Sequence, residues 1–252
     1  MGYLHQGHIS LVRQARSQNP TVLVSIYVNP SQFGPNEDLY RYPRNLEHDR
    51  RLLEEEGVDV LFLPSDAEMY PAGHETWVEV SSLGRKLEGS RRPGHFKGVA
   101  TVVLKLLNII NPDMLYLGQK DAQQALIVRK MARDLHLKTN ICVMPTIRQT
   151  DGLALSSRNS YLSADQKRAA TVLFKALKQA VDLFRQGQCH APVVKKAMAD
   201  LILSEPSASI DYISIACTDS LEEMETIRPP ALVSLAVYIG GTRLIDNVVI
   251  SG

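Results

Sequence analysis

The sequence predicts an α/β protein, with a Rossmann-like parallel sheet followed by a smaller C-terminal α+β domain. Three observations carry this reading. Short runs rich in β-branched residues, TVLVSIYV at 21–28 and VDVLFL at 58–63, alternate with amphipathic stretches at helical spacing. Those runs are apolar almost throughout, as in strands buried on both faces of a parallel sheet. After Pro145 the order changes: two helical stretches come first, then three strand-like runs, the last two joined by Gly240-Gly241.

The elements follow in order. Residues 9–17 (ISLVRQARS) carry apolar positions at helical spacing, and 21–28 is the first strand that the sequence supplies. Asn45 is a good N-cap and Gly57 a good C-cap for the next helix, and 58–63 is a second buried strand. Segment 64–98 gives mixed signals, with a short strand expected around Trp77–Val80. A helix is expected over Val99–Ile110, stopped by Asn111-Pro112, and a short strand over Met114–Leu117. The spacing Asp121…Gln124 predicts a capping box opening a helix to His136, with a strand at Thr139–Met144.

Beyond Pro145, Ser163…Gln166 is a second capping box for a helix running to about Gln186, with Gly187 at its end. A shorter helix near 192–204 and strands at 210–216, 233–238 and 243–250 complete the unit. The expected domains are therefore 1–146 and 147–252. In a doubly wound fold a central strand precedes the first phosphate-facing helix. Here that helix starts within the first ten residues, so the expectation is a sheet whose first strand is missing.

Composition narrows the function. Lys plus Arg is 28 and Asp plus Glu is 27, a net charge of +1. A protein that grips a long polyanion carries a basic surplus or stripe. This balance suits a small anionic substrate and argues against nucleic acid. The longest apolar stretch, 99–110, is interrupted by Lys105 and Asn108 and is shorter than the ~20 residues a membrane helix needs. The three cysteines, Cys142, Cys189 and Cys217, lack metal-like spacing and point to reduced thiols in the cytosol.

Three segments carry candidate chemistry. His5-Gln6-Gly7-His8 stands at a loop-to-helix junction, where free amides and the positive end of the helix dipole attract phosphate. Two surface histidines near a terminus are the plain alternative, and a zinc reading lacks further ligands to complete a tetrahedral set. Gly118-Gln119-Lys120-Asp121-Ala122-Gln123-Gln124 lies where a strand ends and a helix begins, the crevice side of an open α/β sheet. Lys120 there can neutralise phosphate, against the alternative of a capped helix with solvated polar residues. Asp151–Asn159 places Ser156, Ser157 and Arg158 after a glycine, a donor-rich loop suited to phosphate oxygens, or else a polar interdomain loop. Two further segments are polar: VNPSQFG (28–34) leaves the C-terminal end of a strand on the crevice side, and RPGHF (92–96) precedes a helix and suits holding a carboxylate or completing the site, with a plain loop or turn as the alternative for each.

Taken in order, His-x-Gly-His, a later lysine and a Ser-Ser-Arg loop are the layout of the nucleotidylyltransferase superfamily. Within it, MGYLHQGH (1–8), YVNPSQFG (27–34), YPRN (42–45), RPGHFKGVATVV (92–103), LGQKDAQQ (117–124) and DGLALSSRNSYL (151–162) resemble the pantothenate synthetase family. The resemblance spans residues 1–162, and the remainder fits in length and texture. It departs from the family pattern in the strand ending in Pro-Thr before Met1, and in Leu155 where methionine is common.

The resemblance implies an ATP-dependent ligase that joins D-pantoate to β-alanine through a pantoyl adenylate, releasing AMP and pyrophosphate. It implies that His5, His8, Lys120, Ser156, Ser157 and Arg158 face the ATP phosphates. Gly118 and Asp121 would border the ribose and Ile147 the adenine, while Gln32, Gln124 and Met1 would contact pantoate. Asp49 would lie near the magnesium that accompanies ATP, and that ion would be held largely by phosphates and water. The resemblance implies a homodimer, the cysteine usage points to the cytoplasm, and the change of texture near residue 146 leads to the expectation that the C-terminal domain closes as a lid over the nucleotide. The rival readings are another nucleotidylyltransferase, a class I aminoacyl-tRNA synthetase fragment, or an N-terminally truncated, catalytically impaired nucleotide-binding member of the superfamily.

Overall fold

The computed structural model describes residues 2–35 and 37–251 of the chain, which divides into two units, 1–145 and 146–252.

The first unit is α/β with parallel strands, as expected, but its strands form two separate pairs. Helix α1 (Gln6–Gln18) begins three residues before the predicted stretch, so the histidine motif forms its first turn. Strand β1 (Leu23–Ser25) pairs in parallel with β2 (Val60–Phe62), with Val24 opposite Leu61. Between them lies α2 (Leu46–Glu55), capped by Asn45, whose side-chain oxygen accepts from the His48 amide at 3.0 Å. Gly57 closes that region at φ +67°, a left-handed conformation that costs glycine little. Leu4, Val12, Ala15, Val22 and Leu53 form a buried core there, with Val24, Ile26 and Leu61 packed against it.

Segment 64–98 departs from expectation. Two short helices, α3 (Asp66–Met69) and α4 (Glu88–Arg91), form there, and residues 77–80 join no strand among the described residues. The physical reason is tertiary: the Val78 amide donates to the hydroxyl of Thr101, on the helix over His95–Ile110, and not to a neighbouring strand. Helix α5 (His95–Ile110) starts earlier than predicted and stops at Asn111, at φ +50°. Strand β3 (Met114–Gly118) pairs in parallel with β4 (Asn140–Met144).

The capping box predicted at Asp121…Gln124 does not form. A 3-10 turn over Gln119–Asp121 runs straight into α6 (Ala122–Asp134), and Asp121 makes no side-chain cap. Its carboxylate lies 3.5 Å from the Lys120 ammonium instead.

The second unit forms as predicted locally. Helix α7 (Ala164–Arg185) has the Ser163–Gln166 box, with the Ser163 amide donating to Gln166 at 2.9 Å. Helix α8 (Ala191–Leu203) follows, and then an antiparallel sheet in the order β5 (Ala208–Cys217), β6 (Ala231–Ile239), β7 (Thr242–Ile250). Gly240 and Gly241 turn the last hairpin at φ +52° and +89°, the signs a two-residue loop with right-handed twist requires. Val172, Leu173, Ala176, Leu177 and Ala180 of α7 are buried in one core with Ile215, Val233 and Leu235 of the sheet. Truncating a fully buried leucine such as Leu177 would cost about 2–5 kcal/mol.

Candidate phosphate and substrate site

The first turn of α1 sets the chemistry of its two histidines. His5 is the N-cap, and its Nδ1 accepts from the Gly7 amide at 3.1 Å. The Nδ1 of His8 accepts from the His5 amide at 3.3 Å, and the rings lie 4.0 Å apart. An Nδ1 that accepts an N–H carries no proton in the neutral ring. Each imidazole is therefore the Nε2–H tautomer, with that N–H as the donor it can offer a ligand. Burial, aided by the nearby Lys120 charge, lowers the His5 pKa to about 4. Burial and the adjacent His5 hold His8 well below the ordinary histidine range. Both rings are thus neutral donors at pH 7, at a helix N-terminus whose dipole favours an anion.

Lys120 supplies the positive charge, from the turn that links β3 to α6. Its charge acts on both histidine rings, so this second motif lies within electrostatic range of the first. Gly118 ends β3, Asp121 precedes α6, and Gln124 stands in the first turn of that helix, half-buried. The neighbouring Gln123, on one face with Ile127 and Met131, is buried and bonds to the Leu83 and Lys86 carbonyls and the Glu88 amide. A polar residue at helical spacing among apolar ones is the sequence signal that identifies it.

Gln32 is buried in the 3-10 turn after β1. The Asn29 side-chain amide bonds to the Gln32 Oε1 at 3.3 Å and to the Gly98 carbonyl at 3.2 Å. The Gln32 carboxamide oxygen is thereby committed, leaving its NH₂ as the pole suited to an anionic or hydroxylic ligand. The RPGHF loop does hold a carboxylate, and it is the protein's own: Arg92 grips Glu37 through two bonds of 2.7 and 2.5 Å. Burial pushes Glu37 up, but the Arg92 bond and charge hold it below the ordinary carboxylate range. The His95 Nδ1–H donates to the Gln32 carbonyl at 2.8 Å, so its Nε2 accepts from Arg92 at 3.1 Å. Burial, then the Arg92 charge, lowers the His95 pKa to about 4, consistent with that neutral tautomer. Glu37 is invisible to sequence reasoning because the Arg92 that explains it lies 55 positions away.

Asp49, expected beside magnesium, is buried and accepts the amides of Tyr3 and Leu4. Among the described residues no group of three or more His, Cys, Asp or Glu side chains forms a metal cage. Met1 lies outside the described residues. A cavity of about 350 Å³ is lined by Pro93, Gly94 and Phe96 of the RPGHF segment together with Glu79, Arg85 and Lys97, and by none of the residues of the histidine, Lys120 or Ser-Ser-Arg motifs.

In the second unit, Ser156 caps a 3-10 turn (Ser157–Tyr161), its hydroxyl accepting from the Arg158 amide at 3.3 Å. Asn159 ties the turn to the Ala154 carbonyl, and Arg148 anchors the loop through the Gly152 carbonyl and a paired contact with buried Asp246. Ile147, at the start of this unit, is 37% exposed. The three cysteines form no disulfide, and among the described residues no helix is long and apolar enough to cross a membrane.

Proteins similar to this chain in sequence and architecture include pantothenate synthetases from several organisms. The pantothenate synthetase of Roseiflexus castenholzii is 55% identical over 250 residues, covering 99% of this chain and 90% of the relative. That of Moorella thermoacetica is 54% identical, covering 99% and 88%. The crystal structure of the Thermus thermophilus pantothenate synthetase superposes with a TM-score of 0.97 at 45% identity, over 100% of this chain and 91% of that one. The Francisella tularensis pantoate-beta-alanine ligase, solved in complex with beta-gamma ATP and beta-alanine, gives 0.80 at 39% identity, over 99% and 87%. The family model for pantoate-beta-alanine ligase matches residues 1–249, and with these relatives it places the chain in the pantoate-beta-alanine ligase family.

Proposed function

We propose that the chain condenses D-pantoate with β-alanine at the expense of ATP, through a pantoyl-adenylate intermediate. The observation that carries this reading is the meeting of two neutral Nε2–H histidines at a helix N-terminus with the Lys120 ammonium. In the first step a pantoate carboxylate oxygen attacks the α-phosphorus of ATP and pyrophosphate leaves. Charge spreads over phosphate oxygens in such a transition state, so fixed donors and one cation are what the step requires. In the second step the β-alanine amine attacks the acyl carbon, AMP leaves, and the amine gives up a proton.

His5, His8 and Lys120 are assigned to the phosphates, Gly118 and Asp121 to the ribose, and Gln32 and Gln124 to pantoate. The loop of Ser156, Ser157 and Arg158 is proposed as a phosphate-binding element in its own right, with Ile147 toward the adenine. Magnesium enters with ATP as part of the substrate, held by phosphate oxygens and water. We further propose a cytoplasmic homodimer, which light scattering would check. The alternative of an impaired nucleotide binder gains no support from relatives that are named as synthetases over nearly the whole chain.

The deciding experiment supplies the protein with ATP, magnesium and pantoate and measures pyrophosphate, with and without β-alanine. Pantoate-dependent pyrophosphate, and pantothenate once β-alanine is added, are expected. ATP binding without pyrophosphate, or turnover only with another acid, would refute the assignment.

A further inference from the structure

Asp49 stands in the first turn of α2, 1% exposed, and its carboxylate reaches 45 residues back along the chain. One oxygen accepts the Tyr3 amide at 2.7 Å and the other the Leu4 amide at 2.6 Å. Gly2 and Tyr3 have φ of +99° and +51°, so the chain turns through two successive left-handed residues. Such a turn aims consecutive amides at one point, the geometry that binds an anion, and here the anion is a side chain. A Cβ on Gly2 would lie 3.1 Å from the Ile26 side chain and 3.5 Å from the Asp49 carboxylate, so the turn has no slack on that side. The next residues are Leu4, buried in the core, and His5, the N-cap whose amide bonds to His8.

Resting on the phosphate assignment proposed above, we infer that Asp49 is a positioning residue for the His5–His8 pair. It fixes the turn before α1 and so sets where the two Nε2–H donors point. The amides of Tyr3 and Leu4 precede the first turn of α1, outside its hydrogen-bond ladder, and a buried carboxylate satisfies both together. Magnesium ligation would require this carboxylate to serve a cation while committed to two amides.

Asp49→Asn tests this, because it keeps the shape and sets an NH₂ against one of the two amide N–H groups. A shift of about 1 Å in a catalytic donor is worth on the order of 10²-fold in rate. The variant should therefore lose about 10²-fold in kcat for pantoate-dependent pyrophosphate release. KM for pantoate and the half-saturating magnesium concentration should stay unchanged. In long-range ¹H–¹⁵N spectra of the imidazoles, the His5 and His8 signals should move away from the pure Nε2–H pattern, while those of His95 stay. A raised magnesium requirement with unmoved His5 and His8 signals would overturn the inference, as would an unchanged kcat. If Asp49→Asn does not fold, Gly2→Ala, which keeps the carboxylate but crowds the turn, takes the same two readouts with the same expected signature. Wild-type protein that releases no pyrophosphate would fail the proposed reaction instead. The histidine spectra of the variant would still decide the role of Asp49.

Discussion

Gly98 lies on α5 with its backbone against the turn that carries Gln32, and Gly98→Ala isolates what that close approach does. In a helix alanine is ordinarily favoured over glycine by roughly 1 kcal/mol, so propensity alone forecasts a stabilised protein. Packing reverses the sign. A Cβ at Gly98 would stand 2.4 Å from the Ser31 carbonyl oxygen, 2.6 Å from its carbon and 2.8 Å from the Gln32 nitrogen. Ordinary C···O approach is about 3.3–3.6 Å, so the two segments must part by roughly 1 Å. Every obstacle is backbone, and no side chain can swing away. The Asn29 amide that joins the Gly98 carbonyl to the Gln32 side chain would be pulled apart by the same movement. Overpacking of this kind costs about 1–3 kcal/mol, and a 1 Å misplacement of a substrate-holding group costs on the order of 10²-fold in rate. Steady-state pyrophosphate release should show kcat/KM for pantoate reduced by about 10²-fold, while ATP affinity by calorimetry is unchanged. Full pantoate kcat/KM in the variant, or a loss confined to ATP affinity, would refute the reasoning.

Other changes probe different parts of the molecule. Lys120→Ala should slow adenylation by about 10²–10³-fold, the scale of losing one charge-stabilising donor, and should raise the His5 pKa from about 4 toward 6.5 in an NMR titration. Unchanged pyrophosphate release would remove Lys120 from the phosphate site. His5 and His95 both sit near 4 in the folded protein against 6.5 as the ordinary value. Between those limits the unfolded chain binds more protons, so stability is full above about pH 6.5 and falls as pH drops toward 4. Thermal unfolding at pH 7 and pH 5 should show the loss, reduced in His95→Gln, and a flat profile would contradict the burial of neutral rings. Arg148→Met would leave the Asp246 side chain, 2% exposed, without its cation and should cost about 3–5 kcal/mol in urea unfolding. A cost within experimental error would show that the pair carries no stability.

The sequence by itself determined what is decided within a turn or two of chain. Asn45, the Ser163–Gln166 box, Gly187 and the Gly240-Gly241 hairpin mark their elements because a cap or a two-residue loop needs no distant partner. The ordered motifs likewise identified the family, and the histidine motif fell at a helix start as read. Tertiary structure decided whatever depended on a partner far along the chain. Residues 77–80 have strand composition, but the Val78 amide donates to the Thr101 hydroxyl, 23 positions on. Glu37 acquires meaning from Arg92, Gly98 from Ser31, and Asp49 from two amides at the start of the chain. The residue types at the proposed site were legible because the phosphate chemistry proposed for it calls for such donors. Their protonation and aim were not, because tautomer, burial and close approach are properties of atoms brought together by folding.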